Sequence, residues 1–186
     1  MELPAPARNV LSAACTALRD IDPSWAGEKW VSAESIHITL RFLGELDPLL
    51  AERISLDYAR AVTAIEPFLL DLTELVAVPR PGRSSMIWAR VADSTGRCQE
   101  LAEVAERISR KVGLAPESRP FVPHVTLVRT RHIRPVTTAT LEAAATQSGL
   151  VLAQAMSVLS ATLFSSTLTP AGPVYERFAE FALGCR

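Results

Sequence analysis

The sequence predicts an α+β fold, and three observations carry that prediction. Apolar spacing switches along the chain between helical and strand periods, strand-like runs are joined by short Pro- and Gly-containing turns, and one His-x-Thr pattern occurs twice in strand-like runs. Short turns between neighbouring strands imply antiparallel pairing. At 186 residues the length suits a single domain over 1–186, and the repeated pattern gives it a weak internal symmetry of two similar lobes.

The elements follow in order. Within 4–20, Val10, Leu11, Ala14 and Leu18 recur at helical spacing and Pro6 is tolerated in a first turn, so a helix is expected. Segments 29–31 and 36–43 are rich in β-branched and aromatic residues, with Gly44 closing the second, and both are expected as strands. Asp47-Pro48 offers an N-cap with proline at the first helical position, opening a helix through Leu49, Ile54, Ala61 and Ile65 that Pro67 ends. Segments 68–76 and 85–91 form an expected hairpin around the loop 79–83. Helical spacing of Leu101, Val104, Ala105, Ile108 and Val112 predicts a helix over about 94–112, stopped by Gly113. Segment 121–128 returns to strand character, 137–148 to helix, and strands are expected near 151–154, 157–164 and 174–182 with a turn at 170–173.

Composition narrows the function. With 48% hydrophobic and 21% charged residues the chain lies in the ordinary globular range. The most apolar stretch, 149–164, is broken by Gln154, Ser157, Ser160 and Thr162, and the start lacks a basic then apolar leader, so a soluble cytoplasmic protein without membrane contact is expected. Cys15, Cys98 and Cys185 are widely spaced and form no metal pair; inert thiols are expected, and neither zinc nor a disulfide framework. A net charge of -1 gives no broad electrostatic footprint for long nucleic acid, so any such substrate must be recognised locally. Positive charge does concentrate at Arg129, Arg131, His132 and Arg134, with Arg119 upstream.

His37-Ile38-Thr39-Leu40 and His124-Val125-Thr126-Leu127 are two copies of one pattern. In a strand, residues two apart share a face, so each His stands beside its Thr while Ile38 and Val125 turn toward the core. Two imidazoles can supply the base and the acid that opening a cyclic phosphodiester with water requires. The Thr hydroxyls can donate to non-bridging phosphate oxygens, a stabilisation that grows as charge develops. By the same alternation, Arg41 shares a face with His37 and Thr39 and is a weaker candidate for phosphate contact. His132 has no Thr partner and is expected in solvent, and Trp30 and Trp88 in strands are ordinarily core.

The paired motifs resemble those of the 2H phosphoesterase superfamily, in particular the bacterial and archaeal RNA 2′,3′-cyclic phosphodiesterases first described as 2′-5′ RNA ligases. Trp30-Val31 with His37-Ile38-Thr39-Leu40-Arg41-Phe42-Leu43-Gly44-Glu45 is similar to the first family motif, and Arg119-Pro120-Phe121-Val122-Pro123-His124-Val125-Thr126-Leu127-Val128-Arg129 to the second. Met86-Ile87-Trp88-Ala89-Arg90-Val91 resembles the segment between them, so the likeness covers nearly the whole chain. The resemblance implies a bilobal fold of two antiparallel sheets related by a pseudo-twofold axis, helices on the outer faces and the phosphate in the cleft. It implies metal-independent, cofactor-free hydrolysis of RNA 2′,3′-cyclic phosphate ends, or of such nucleotides, to 2′-phosphates by a monomer. His37 is then the proton donor and His124 the acceptor, with the reverse assignment open; Thr39, Thr126 and Arg129 bind substrate. The alternatives are 2′-5′ RNA joining, small cyclic nucleotides as substrates, and an RNA-end-binding module without turnover. One departure stands out: family members open with a strand of the Arg-x-Phe-x-Ala kind, whereas only Met1-Glu2-Leu3 precede Pro4, so that sheet position is expected to be empty or filled otherwise unless the start is annotated late.

Overall fold

The computed structural model describes residues 1–150, 155–169 and 172–184; the strand expected over 151–154, part of the turn at 170–173, and Cys185 lie outside the described residues. Helix α1 (Ala5–Ile21) buries Leu11, Ala14 and Leu18 of the stripe its spacing predicts, together with Ala7, while Val10 is only partly buried. Helix α2 (Pro48–Val62) starts where the Asp47 carboxylate accepts the Leu50 N–H at 2.9 Å. Helix α3 (Arg97–Lys111) ends before Gly113, which takes φ +90°, and α4 (Thr138–Gln147) begins where the Thr137 hydroxyl accepts the Thr140 N–H at 3.0 Å. Among the described residues no helix is long and apolar enough to cross a membrane.

The strands are β1 (Lys29–Trp30), β2 (Phe68–Arg80), β3 (Arg83–Ala92), β4 (His124–Arg134), β5 (Met156–Val158), β6 (Ser160–Thr169) and β7 (Gly172–Ala182). Five form an antiparallel sheet in the order β1-β4-β3-β2-β5, and β6 and β7 form a separate hairpin sheet. The α+β, antiparallel character is as the sequence predicts. The division is unequal, however, because β5 joins β2 through Phe68↔Val158 while β6, one residue further on, pairs with β7.

The strand expected over 36–43 is a second correction. Only His37 and Ile38 are paired there, through the bridges Glu2↔His37 and Ile38↔Val125. The chain leaves β4 after Val31, whose N–H donates to Leu127 O at 2.9 Å, detours through a 3-10 turn at Ala33–Ser35, and returns at Ile38. Past Thr39 the segment turns toward α3, where Arg41 is held by Glu106, and it makes no further pairing with β4. The short start, in turn, fills the position next to the first motif: the Ile38 N–H donates to Met1 O at 3.0 Å and the Met1 nitrogen to Ile38 O at 2.8 Å.

Ile36, Ile38, Ile87, Ala89, Val91, Val125, Leu127 and Val128 are all buried, and they join Leu11 and Leu18 of α1 in one apolar core. The opposite face of β3 and β4 is left for polar groups.

Candidate active site

The pairing of Ile38 with Val125 decides the geometry of the motifs. Both side chains are buried, so the alternating residues His37, Thr39, His124 and Thr126 stand on the other face, each half-buried. Counting one residue outward from the bridge sets His37 opposite Thr126 and Thr39 opposite His124. Directly opposed side chains in such a pair sit roughly 5 Å apart and diagonal ones roughly 7–8 Å. The two imidazoles are therefore diagonal neighbours, spaced to reach opposite sides of one small anion.

Each ring is fixed in the same way. His37 Nδ1 lies 2.7 Å from Ser35 O and His124 Nδ1 lies 2.7 Å from Val122 O, in both cases the carbonyl two residues upstream. A carbonyl only accepts, so both Nδ1 atoms carry a proton and both Nε2 atoms are left for chemistry. His37 Nε2 is 2.9 Å from the Thr39 hydroxyl oxygen. Burial is the largest cause holding His37 below its ordinary pKa, with the Ser35 carbonyl opposing and the charges of the Met1 amino group, then Arg129 and His124, adding to it. His124 is lowered by burial first, against the Val122 carbonyl, and then by Arg129.

Arg129 reaches this face through a bulge. Strict alternation would put it with Val125 and Leu127, but Ile87 pairs with Val128 and Trp88 with Thr126, so Leu127 is the extra residue. Leu127 and Val128 are both buried, and Arg129 emerges on the histidine side, where Nη1 donates to Met86 Sδ at 3.0 Å. Its charge acts on both imidazoles.

Arg41 is not brought to this array. Its side chain is only 6% exposed, with Nη1 2.9 Å from Glu106 and 3.0 Å from Glu117, and Nη2 donates to Ala115 O. The parity argument fails because the chain is no longer a paired strand at Arg41. Nor does the basic cluster converge: Arg134 binds Glu28 at 2.8 Å and lies over Trp25 at 4.6 Å, while Arg119, Arg131 and His132 are exposed.

Three aromatic residues join the site without having been singled out for it by the sequence. Trp88, expected in the core, lies on the cleft face and stacks on His124 with centroids 3.7 Å apart and planes at 21°. Tyr175 meets His37 edge-on at 5.3 Å, and Phe164 lies 6.4 Å from the same ring. Among the described residues no group of three or more His, Cys, Asp or Glu side chains gathers to hold a metal ion.

Residues 10–162 match the 2′-5′ RNA ligase superfamily. The chain belongs to that superfamily. The ligase-superfamily assignment agrees with the motif resemblance. The chain is 35% identical over 153 residues to an RNA 2′,3′-cyclic phosphodiesterase of Aeropyrum pernix, covering 82% of this chain and 84% of the relative. A protein of the same description from Aquifex aeolicus is 31% identical over 157 residues, covering 84% and 82%. In three dimensions the chain is similar to a Thermus thermophilus protein, with TM-score 0.77 at 24% identity over 98% of this chain and 94% of the other. It is also similar to Escherichia coli LigT complexed with 3′-AMP, with TM-score 0.71 at 22% identity over 98% and 94%. The structural likenesses establish the superfamily fold.

Proposed function

We propose that this protein, a single domain of two lobes, opens 2′,3′-cyclic phosphates on RNA ends to 2′-phosphates without a metal. The observation supporting this reading is the antiparallel bridge between the two His-x-Thr motifs, whose register makes the two imidazoles diagonal neighbours on one face with the two Thr side chains. Neutral His124 Nε2 takes a proton from water as the water oxygen bonds to phosphorus, and protonated His37 Nε2 gives a proton to the 3′ oxygen as its bond to phosphorus breaks. Thr39 and Thr126 donate to the non-bridging oxygens, and Arg129 adds positive charge nearby. The names of the Aeropyrum and Aquifex relatives support the substrate class, and the 3′-AMP held by LigT supports a nucleoside phosphate as ligand.

The test is turnover of an oligonucleotide ending in a 2′,3′-cyclic phosphate, with the product isomer identified. We expect a 2′-phosphate, no effect of EDTA, and a loss of roughly 10²-fold or more in His37→Ala and in His124→Ala. Full activity in either variant refutes the reading. The superfamily's description favours 2′-5′ joining as a second reading, and adding an acceptor with a free 5′-hydroxyl to the same assay separates the two.

A further inference from the structure

Trp88 on β3 lies flat against His124, with ring centroids 3.7 Å apart and planes 21° from parallel. We propose that Trp88 is a positioning residue for His124, its indole face both holding the plane of that ring and favouring its imidazolium form. The proposal deepens the cyclic-phosphate reading and rests on it for its kinetic consequence, since in that reading His124 is an imidazolium at one stage of each turnover.

Register brings the two rings together. Trp88 pairs with Thr126 and Arg90 with His124, so on the cleft face the indole is a diagonal neighbour of the imidazole, within reach of a large aromatic side chain. The contact of Nδ1 with Val122 O fixes one edge of the imidazole and the stack fixes its plane. Nε2 keeps no partner among the described residues and stays available for proton exchange.

The other surroundings of His124 do little for a positive charge. Arg129 on its own strand and His37 on the first motif repel it, and Arg90, its register partner on β3, is held by Glu74 of β2 at 3.4 Å. Among the described residues no carboxylate pairs with His124, and the Val122 carbonyl is its hydrogen-bond acceptor. An indole face carries negative charge density, and a cation within about 6 Å of the ring centroid is attracted to it.

Packing alone gives no reason for tryptophan at this position. The indole N–H is buried and meets no acceptor among the described residues, which disfavours tryptophan against phenylalanine as mere filling. A cation on the ring face reverses that preference, because indole attracts a cation more strongly than a phenyl ring does.

Shielding and attraction have opposite signs, so they can be separated. A ring that only keeps water from His124 disfavours the imidazolium, and its removal would raise the pH at which His124 titrates. A ring that attracts the imidazolium lowers that pH when it is removed.

The experiment is an NMR titration of the histidine C2 protons in the unaltered protein, Trp88→Leu and Trp88→Phe, with signals assigned from His37→Ala, His124→Ala and His132→Ala. Trp88→Leu is expected to move the His124 titration down by roughly half a pH unit to one unit, and Trp88→Phe to recover part of the shift. The limb of the kcat/KM profile that follows His124 should move the same way. An unmoved or raised His124 titration in Trp88→Leu overturns the proposal. Should circular dichroism show that Trp88→Leu does not fold, the emission of the unaltered protein decides. An imidazolium stacked on indole quenches it, so emission should fall as pH drops through the His124 titration, and that step should vanish in His124→Ala. Emission without the step overturns the proposal. A lowered titration in a protein that opens no cyclic phosphate upholds the stack and sinks the hydrolase reading, whereas normal turnover with an unmoved titration sinks the stack alone.

Discussion

Ile38 and Val125 face each other across an antiparallel bridge, and neither exposes more than 1% of its surface. This apolar pair is the underside of the site, since everything polar above it takes its position from their register. Truncation should therefore cost both stability and catalysis. Ile38→Ala removes buried methyl and methylene groups where Val125 and the core cannot fully close the gap, and we expect a loss of about 2–5 kcal/mol in urea unfolding. The variant that remains folded should lose kcat more than KM, because the imidazoles are displaced relative to each other. A stable variant with unaltered kcat would show that the bridge does not set the geometry.

The two histidines should titrate together and below the ordinary range. Burial disfavours both imidazolium ions, and Arg129 disfavours them further. Arg129→Gln removes that cation, so both C2-proton titrations in NMR should move to higher pH and the falling alkaline limb of the pH–rate profile should move with them. The stability sign follows from the direction. Groups with depressed folded-state values bind fewer protons in the native chain, so their stability contribution is present above the unfolded value of 6.5 and is lost as pH falls through the folded values. Arg129→Gln should make that acid-side loss smaller. Titrations that stay where they were would mean that Arg129 is not close to either ring.

Much of this was readable from residues alone, and the failures have definite causes. Helix starts at Asp47 and Thr137 and the stop at Gly113 are local capping events, which short sequence windows contain. The inward turn of Ile38 and Val125 is likewise local, since alternation holds for two or three residues even where no ladder persists. Arg41 and Arg129 escaped the same rule in opposite ways. At Arg41 the paired stretch had already ended at Ile38, and at Arg129 the bulge at Leu127 reversed the parity. Phe164 and Tyr175 lie far along the chain from both motifs, and an aromatic residue in a strand gives no local sign of facing a cleft. Trp88 was misplaced for that reason too. Only the register of β3 on β4, Trp88↔Thr126, puts it beside His124.

Arg41 offers the clearest contrast between a residue that touches phosphate and one that holds the frame. Its guanidinium ties the segment just after Thr39 to Glu106 on α3 and to Glu117 and Ala115 in the loop that leads to His124. It is thus a clasp between the approaches to the two motifs. Removing one partner of a nearly buried ion pair leaves the other charge uncompensated, at a cost of about 3–5 kcal/mol, and the partial exposure of both carboxylates favours the lower figure. Arg41→Ala should therefore lower the unfolding free energy by about 3 kcal/mol. Arg41→Lys should recover only part of it, since a point charge cannot serve two carboxylates and a carbonyl as a planar fork does. In either variant, at a temperature where the chain stays folded, KM for a cyclic-phosphate substrate and its dependence on salt should stay close to those of the unaltered protein. A phosphate-binding arginine would behave in the opposite manner: KM would rise, the salt dependence would weaken and stability would hardly change. That second pattern would return Arg41 to the substrate.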